Sequence, residues 1–334
     1  MLLWIAAITI GFALLVWGAD RFVMGASSLA RNLGVSPLII GLTIVGFGTS
    51  APEMLVSGVA AFTGNPNLGM GNAIGSNITN IALVLGMTAL ISPLTVHSQT
   101  LKREFPVLLL IMGVALLLLW DRHLGRMDGA ILLAGLLLLI IWMVRIGLKE
   151  HAQPSASTAN DPLDSAFDNE IPKGVTTPMA IFWLVAGLFI LLGSSRMLVW
   201  GAVSVAEWFG ISDLIIGLTI VAIGTSLPEL AASVMSALKK EDDIAIGNVL
   251  GSNMFNLLAV LGLPGVILPA PFDDAVITRD FLVMGSVTLL LLVMAYGVRG
   301  PGRINRIEGG ILLLIFCGYL TYLYLSVAPA ATPL

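Results

Sequence analysis

Residues Gly41–Glu53 read GLTIVGFGTSAPE, which places a proline and a glutamate inside a run otherwise apolar enough for a membrane span. The phrase returns 176 residues later as GLTIVAIGTSLPE, Gly217–Glu229. A charged side chain at mid-bilayer costs roughly 2.5–3.5 kcal/mol on insertion scales and faces a protein interior or a polar cavity. One buried acid could be an accident. Two in the same setting point to a duplicated fold and ask what the acids hold.

The match extends outward without a gap. GNAIGSNITNIALVLG (71–86) lies over GNVLGSNMFNLLAVLG (247–262), Pro93 over Pro269, and Gly25, Gly34 and Ser36 over Gly201, Gly210 and Ser212. Of 334 residues, 57% are hydrophobic and only 11% charged, with a mean hydropathy of +0.98, which is the balance of a polytopic membrane protein. A bilayer core about 30 Å thick takes about 20 apolar residues as helix. On that ruler spans fall near 3–27, 37–62, 69–91, 104–120, 127–147, 178–204, 213–237, 244–268, 281–298 and 308–327. Each half holds five, and an odd number inverts the second copy. The expected fold is all-α and polytopic: ten transmembrane helices as two inverted five-helix repeats, with interrupted helices in spans 2 and 7. The first repeat is 1–148 (motif region 41–96), a polar linker follows at 149–177, and the second repeat is 178–334 (motif region 217–272). Inverted repeats with broken helices are the mark of secondary transporters that bind cargo near the midplane. Duplication kept for packing alone would repeat Gly and Leu, but gives no reason to repeat Thr-Ser-x-Pro-Glu.

Several partners drop out. The net charge of −4 is scattered, with no block of like charges to suggest nucleic acid. Cys317 is the only cysteine, which excludes an internal disulfide and a Cys-based metal site. The N-terminal MLLWIAAITIGFALLVWGAD lacks a basic n-region and a small-residue cleavage site, so it reads as a retained first span. The loops after spans 1, 3, 5, 7 and 9 carry eleven Lys and Arg, against Arg122, Arg126 and Arg279 on the other side. The positive-inside rule then puts the linker in the cytoplasm of a prokaryote, beneath its plasma (inner) membrane, and both termini outside. The linker is too short for a folded calcium-sensing domain.

Pro52 and Pro228 cannot donate a backbone hydrogen bond, and their rings clash with the carbonyls of Gly48 and Gly224. The helix must break or bend there, and free carbonyls at that depth survive only in protein or beside a polar cavity. Thr49, Ser50 and Glu53, with Thr225, Ser226 and Glu229, add oxygens beside them. Asn72, Ser76 and Asn80 form an i, i+4, i+8 stripe on span 3, repeated as Asn248, Ser252 and Asn256 on span 8. Gly71 and Gly75, like Gly247 and Gly251, offer a close-approach face. Oxygen-only donors with carboxylates suit hard cations: Ca²⁺, or Na⁺ on the hydroxyls and carbonyls. His97, His123 and His151 all lie in loops, which disfavours a transition metal.

The paired GTSxPE and GNxxGSN motifs resemble the two α-repeats of the calcium/cation antiporter superfamily, in particular its prokaryotic Na⁺/Ca²⁺ exchangers, over essentially the whole chain. The resemblance implies that Glu53 and Glu229, with Thr49 and Thr225, bind Ca²⁺. It implies that Na⁺ uses Ser50, Ser226, Ser76 and Ser252 plus the carbonyls of Gly46 and Ala222, with Asn80 and Asn256 completing the centre. Some relatives carry Asp at one of those two places; the double Asn leaves two carboxylates and speaks against a potassium-dependent branch. The implied activity is Na⁺/Ca²⁺ antiport by alternating access, electrogenic at three Na⁺ per Ca²⁺, with the bilayer and the two ions as partners, a monomer sufficient and no cofactor. A Ca²⁺/H⁺ antiporter would use the same glutamates to carry protons, and a cation channel is a further alternative. An enzyme has little to work with, since no His, Cys or nucleophile–base pair accompanies the acids. Asp20 and Arg196, equivalent in the two repeats, offer two readings: a pair across the pseudo-twofold axis, or separate charges at an interface, with Asp20 neutralised by Arg21 and Arg196 snorkelling.

Overall fold

The computed structural model describes residues 1–35, 37–96, 98–152, 175–208, 222–296 and 302–327. Ser36, His97, Gly210, Ser212, Arg299, the linker from 153 to 174 and the opening of the seventh expected span (213–221, with Gly217) lie outside the described residues. Before the linker come α1 (Leu2–Leu33), α2 (Pro37–Ile40), α3 (Gly46–Thr49), α4 (Ala51–Phe62), α5 (Pro66–Thr79), α6 (Gly86–Ile91), α7 (Ser98–Leu118) and α8 (Arg126–Ala152). After it come α9 (Thr177–Trp208), α10 (Ala222–Thr225), α11 (Leu227–Leu238), α12 (Asp242–Phe255), α13 (Gly262–Ile267), α14 (Leu282–Ala295) and α15 (Arg306–Val327). Seven of the described helical spans are long and apolar enough to cross a membrane, or eight if Gly41–Thr49 and Ala51–Phe62 count as one bent span.

Three helices outrun their expected ends, α9 by four residues to Trp208 and the other two further. α1 continues six residues beyond Ser27 to Leu33, where Gly34 takes the left-handed conformation (φ 60°) and its N–H caps the carbonyls of Ala30 and Arg31. α8 runs through Lys149 to Ala152, shortening the polar linker from its N-terminal side.

α1 and α9 pack closely along their lengths through small residues. A Cβ on Gly18 would meet Ile190, one on Gly25 would collide with the Leu184 backbone, and one on Gly201 would reach Trp4 and Ile8. Residue numbers fall along α9 as they rise along α1, so these two equivalent helices run antiparallel. The same register corrects the paired reading of Asp20 and Arg196. Asp20 faces the turn near Phe189, while Arg196 lies about seven residues, on the order of 10 Å, further along the axis. Asp20 instead binds Lys239 Nζ at 2.8 Å and lies 3.6 Å from Arg21 Nε, and Arg196 is exposed.

Two short ladders tie the halves together. β1 (Leu94–Val96) pairs antiparallel with β4 (Gly302–Ile304), and β2 (His123–Leu124) pairs with β3 (Ala270–Pro271). The first joins loops after expected spans 3 and 9, the second loops after spans 4 and 8, so each ladder links segments assigned to one membrane face.

Burial separates a centre from a surround. The most apolar 18-residue stretch of Asp242–Ile267 is 100% buried in protein and that of Pro66–Ile91 is 72% buried, whereas in the other long unbroken spans it is 17–28% buried. The two GNxxGSN helices are therefore the centre of the described molecule, and those other long spans present most of their apolar surface outward.

Candidate functional site

The break in the first motif is local and sharp. Ser50 leaves the helical region (φ −81°, ψ 0°) between α3 and α4, and the segments on either side meet at 46°. Pro52 sits in the first turn of α4, where the missing N–H would have had no partner in any case. Ser226 repeats the geometry (φ −91°, ψ 7°), with Pro228 in the first turn of α11. Glu53 and Glu229 thus both occupy the first turn of a helix, where the aligned peptide dipoles favour negative charge.

The two halves interlock at these breaks. Ser50 Oγ lies 3.5 Å from Glu229 Oε1. Ser252 Oγ donates to the Gly46 carbonyl at 3.3 Å and lies 3.4 Å from Thr49 Oγ1. Thr49 Oγ1 reaches Asn248 Oδ1 at 3.0 Å and the Val45 carbonyl at 3.1 Å. One hydroxyl hydrogen therefore faces two acceptors. Asn248 Nδ2 donates to the Glu229 carbonyl (3.3 Å) and to Ser233 Oγ (2.9 Å), while Asn72 Nδ2 donates to the Glu53 carbonyl (3.1 Å). Ser76 turns back to Asn72 Oδ1 at 3.4 Å. Asn80 Nδ2 crosses to Asn253 Oδ1 at 3.2 Å.

Oxygens outnumber donors here. Among the described residues, both carboxylate oxygens of Glu53, Oε2 of Glu229, Asn80 Oδ1, Asn256 Oδ1 and Ser226 Oγ are buried without a hydrogen-bond partner, as is Asn256 Nδ2. Each such group costs about 1–3 kcal/mol, more when charged. Acceptors gathered from both motifs are what a hard cation needs. No cluster of three His, Cys, Asp or Glu occurs among the described residues, so a cation here relies on neutral oxygens beside two acids.

The expected residues Thr49, Ser50, Glu53, Ser76, Asn80, Ser226, Glu229, Ser252 and Asn256 are all buried; Thr49, Ser50, Glu53, Ser226 and Glu229 lie at the two breaks, Ser252 touches Thr49, Ser76 is joined to Glu53 through Asn72, and Asn80 and Asn256 stand on the two central helices. Thr225 closes α10, and Ala222 begins it. Three features escaped sequence reasoning. π-helical stretches begin at Asn80 (Asn80–Leu85) and Asn256 (Asn256–Val260), a distortion that recurs at functional sites, and another covers Gly41–Val45. Asn253, the asparagine of the second GSN, supports Asn80, which the repeat itself could have signalled. Ser195 Oγ donates to the Gly224 carbonyl at 2.9 Å. That oxygen, expected to be freed by Pro228, is therefore already engaged.

The family described as sodium/calcium exchanger protein matches residues 3–145 and again 179–325. The chain belongs to the sodium/calcium exchanger family. The CaxA protein of Alkalimonas amylolytica is 53% identical over 96% of this chain and 98% of its own. The inner membrane protein YrbG of Escherichia coli is 41% identical over 97% and 96%. The fold is similar to that of the sodium-calcium exchanger NCX_Mj soaked with 10 mM Na⁺ and zero Ca²⁺, with a TM-score of 0.79 and 31% identity over 96% of this chain and 98% of that one. The exchanger has two family matches in one chain, one for each copy of the motif pair.

Proposed function

We propose that this exchanger is a Na⁺/Ca²⁺ antiporter, working by alternating access at a single mid-membrane site built from both halves of a ten-span inverted repeat. The observation that carries the reading is the buried set of unpaired oxygens on Glu53, Glu229, Asn80, Asn256 and Ser226. In this account Glu53 and Glu229, with Thr49 and Thr225, hold Ca²⁺. Na⁺ takes Ser50, Ser226, Ser76, Ser252 and the carbonyls of Gly46 and Ala222, around a centre at Asn80 and Asn256. The hydrogen bond from Ser252 to the Gly46 carbonyl marks two oxygens that Na⁺ would bind together once the hydroxyl hydrogen turns away.

Charge gives the coupling. Two ionised glutamates carry −2, so one Ca²⁺ makes the site neutral and three Na⁺ make it +1. One net charge then moves per cycle, and the empty site resists crossing because uncompensated acids are costly at that depth. Both cations compete for one set of oxygens, which enforces exchange over leak. The antiparallel α1 and α9 and the paired ladders support the inverted repeat. Exposed Gly71 and half-buried Asn72 beside buried Gly247 and Asn248 support a conformation reachable from the 63–65 side and sealed at the 239–241 side. By the positive-inside argument the open side is outside, with the linker and Lys239 in the cytoplasm of a bacterial-type inner membrane. One chain supplies every proposed ligand, so a monomer suffices.

The test is ⁴⁵Ca uptake into proteoliposomes driven by an imposed Na⁺ gradient. Antiport predicts uptake that follows internal Na⁺ and responds to membrane potential. Uptake driven by a pH gradient without Na⁺ would assign the glutamates to protons, and flux without a counter-ion would indicate a channel.

A further inference from the structure

Away from the ion site, the π-helical turn Val276–Phe281, the start of α14 and the second half of α15 border an open groove of about 390 Å³ with one polar and one apolar end. Arg279, Tyr319 and Tyr322 line the first, while Leu282, Val283 and Ile315 line the second. Residue numbers rise on one helix as they fall on the other, so the polar end lies where the span Val276–Ala295 begins and the apolar end lies deeper in it. Leu282 and Tyr322 are exposed on the outside of the bundle, where the surrounding medium of a membrane span is lipid.

The cation at the mouth is fixed in place but not used up. Arg279 Nε and one terminal nitrogen bind the two oxygens of Asp280 at 2.7 and 3.0 Å, and Tyr319 Oη donates to Asp280 Oδ1 at 2.9 Å. A guanidinium has five N–H donors. Two are spent on Asp280, which leaves three without a protein partner among the described residues, on a side chain still 28% exposed. A held guanidinium edge above an apolar slot has the polarity of a phospholipid read from headgroup to tail: phosphate takes planar donor pairs, and an acyl chain fills the slot.

We propose that this groove is a binding site for one phospholipid, its phosphate on Arg279 and an acyl chain along Leu282, Val283 and Ile315. The proposal rests on the membrane-spanning reading and is independent of which ions are carried. Native mass spectrometry of the full chain in mild detergent tests it, titrating palmitoyl-oleoyl phosphatidylethanolamine, the matching phosphatidylglycerol and inorganic phosphate separately. One lipid adduct is expected with either headgroup, because the phosphate is common to both, and none with inorganic phosphate, which lacks the chain. Arg279→Gln weakens the adduct about tenfold by removing charge-assisted hydrogen bonds. Val283→Trp, which fills the slot and leaves Arg279 intact, abolishes it. Arg122→Gln, which removes a cation paired with Asp274 near the same face, leaves it unchanged. Wild-type occupancy in either groove variant, or equal loss in Arg122→Gln, overturns the site.

Discussion

Asn72 and Asn248 occupy the same position of the two repeats, yet they live in different surroundings. Asn248 is 0% exposed and binds Thr49, Ser233 and the Glu229 carbonyl. Asn72 is half-buried and binds the Glu53 carbonyl and Ser76. The difference extends along the helices. A Cβ on Gly251 would collide with the Leu42 carbonyl, whereas one on Gly75 meets no described atom within 4 Å. Near-identical sequence in two environments teaches that the motif encodes a set of contacts that can be made or released. The second copy makes them among the described residues; in the first, Leu218, the counterpart of Leu42, lies outside the described residues. In the alternating access proposed above, the two environments would exchange.

The largest effect tests what the copies share. Glu53→Gln or Glu229→Gln removes half the fixed charge a divalent ion needs, and Ca²⁺–Ca²⁺ exchange in vesicles is expected to fall by at least about a hundredfold for either. Next comes a glycine. Gly251→Ala pushes a methyl group into the Leu42 backbone and is expected to lower the melting temperature and expression sharply by fluorescence-detected size exclusion. Wild-type behaviour would contradict that close approach. Asn248→Ala takes one partner each from Thr49, Ser233 and the Glu229 carbonyl in a buried site, costing about 1–3 kcal/mol. Its exchange rate is expected to drop about tenfold or more, against a few-fold for Asn72→Ala.

The smallest effect concerns the helix starts. Asn65 opens α5 by accepting from the Leu68 N–H, but its counterpart Glu241 opens α12 among acids. Burial, then Asp243, pushes the Glu241 carboxyl up to about 7, with Arg31 and Lys239 pulling the other way and Asp242 adding to the rise. A raised carboxyl means the folded state holds more protons than the unfolded one. Stability from this group is therefore present below its ordinary range and lost as pH rises through about 7. The melting temperature is expected to decline slightly from pH 5 to 7.5, and less so in Glu241→Gln.

Much of this was legible in the sequence because it follows from period and offset. The repeat at 176, the prolines and the paired glutamates located both breaks, and the nine residues proposed to bind ions are all buried. What escaped depended on tertiary register. Asp20 and Arg196 look equivalent and opposite, but antiparallel packing of α1 on α9 separates them and gives Asp20 to Lys239. The partner of the Gly224 carbonyl, Ser195, has no echo in the first repeat, where Ala19 stands at the equivalent place. The π-helical starts at Asn80 and Asn256 arise from how the central helices meet, and no local propensity announces them.

Whether the two halves build one site or two is the central question, and equilibrium binding of ⁴⁵Ca to the purified protein answers it most directly. The account predicts one Ca²⁺ per chain, displaced by Na⁺, with binding lost in both Glu53→Gln and Glu229→Gln. Two Ca²⁺ per chain, or wild-type affinity surviving in either variant, would contradict it.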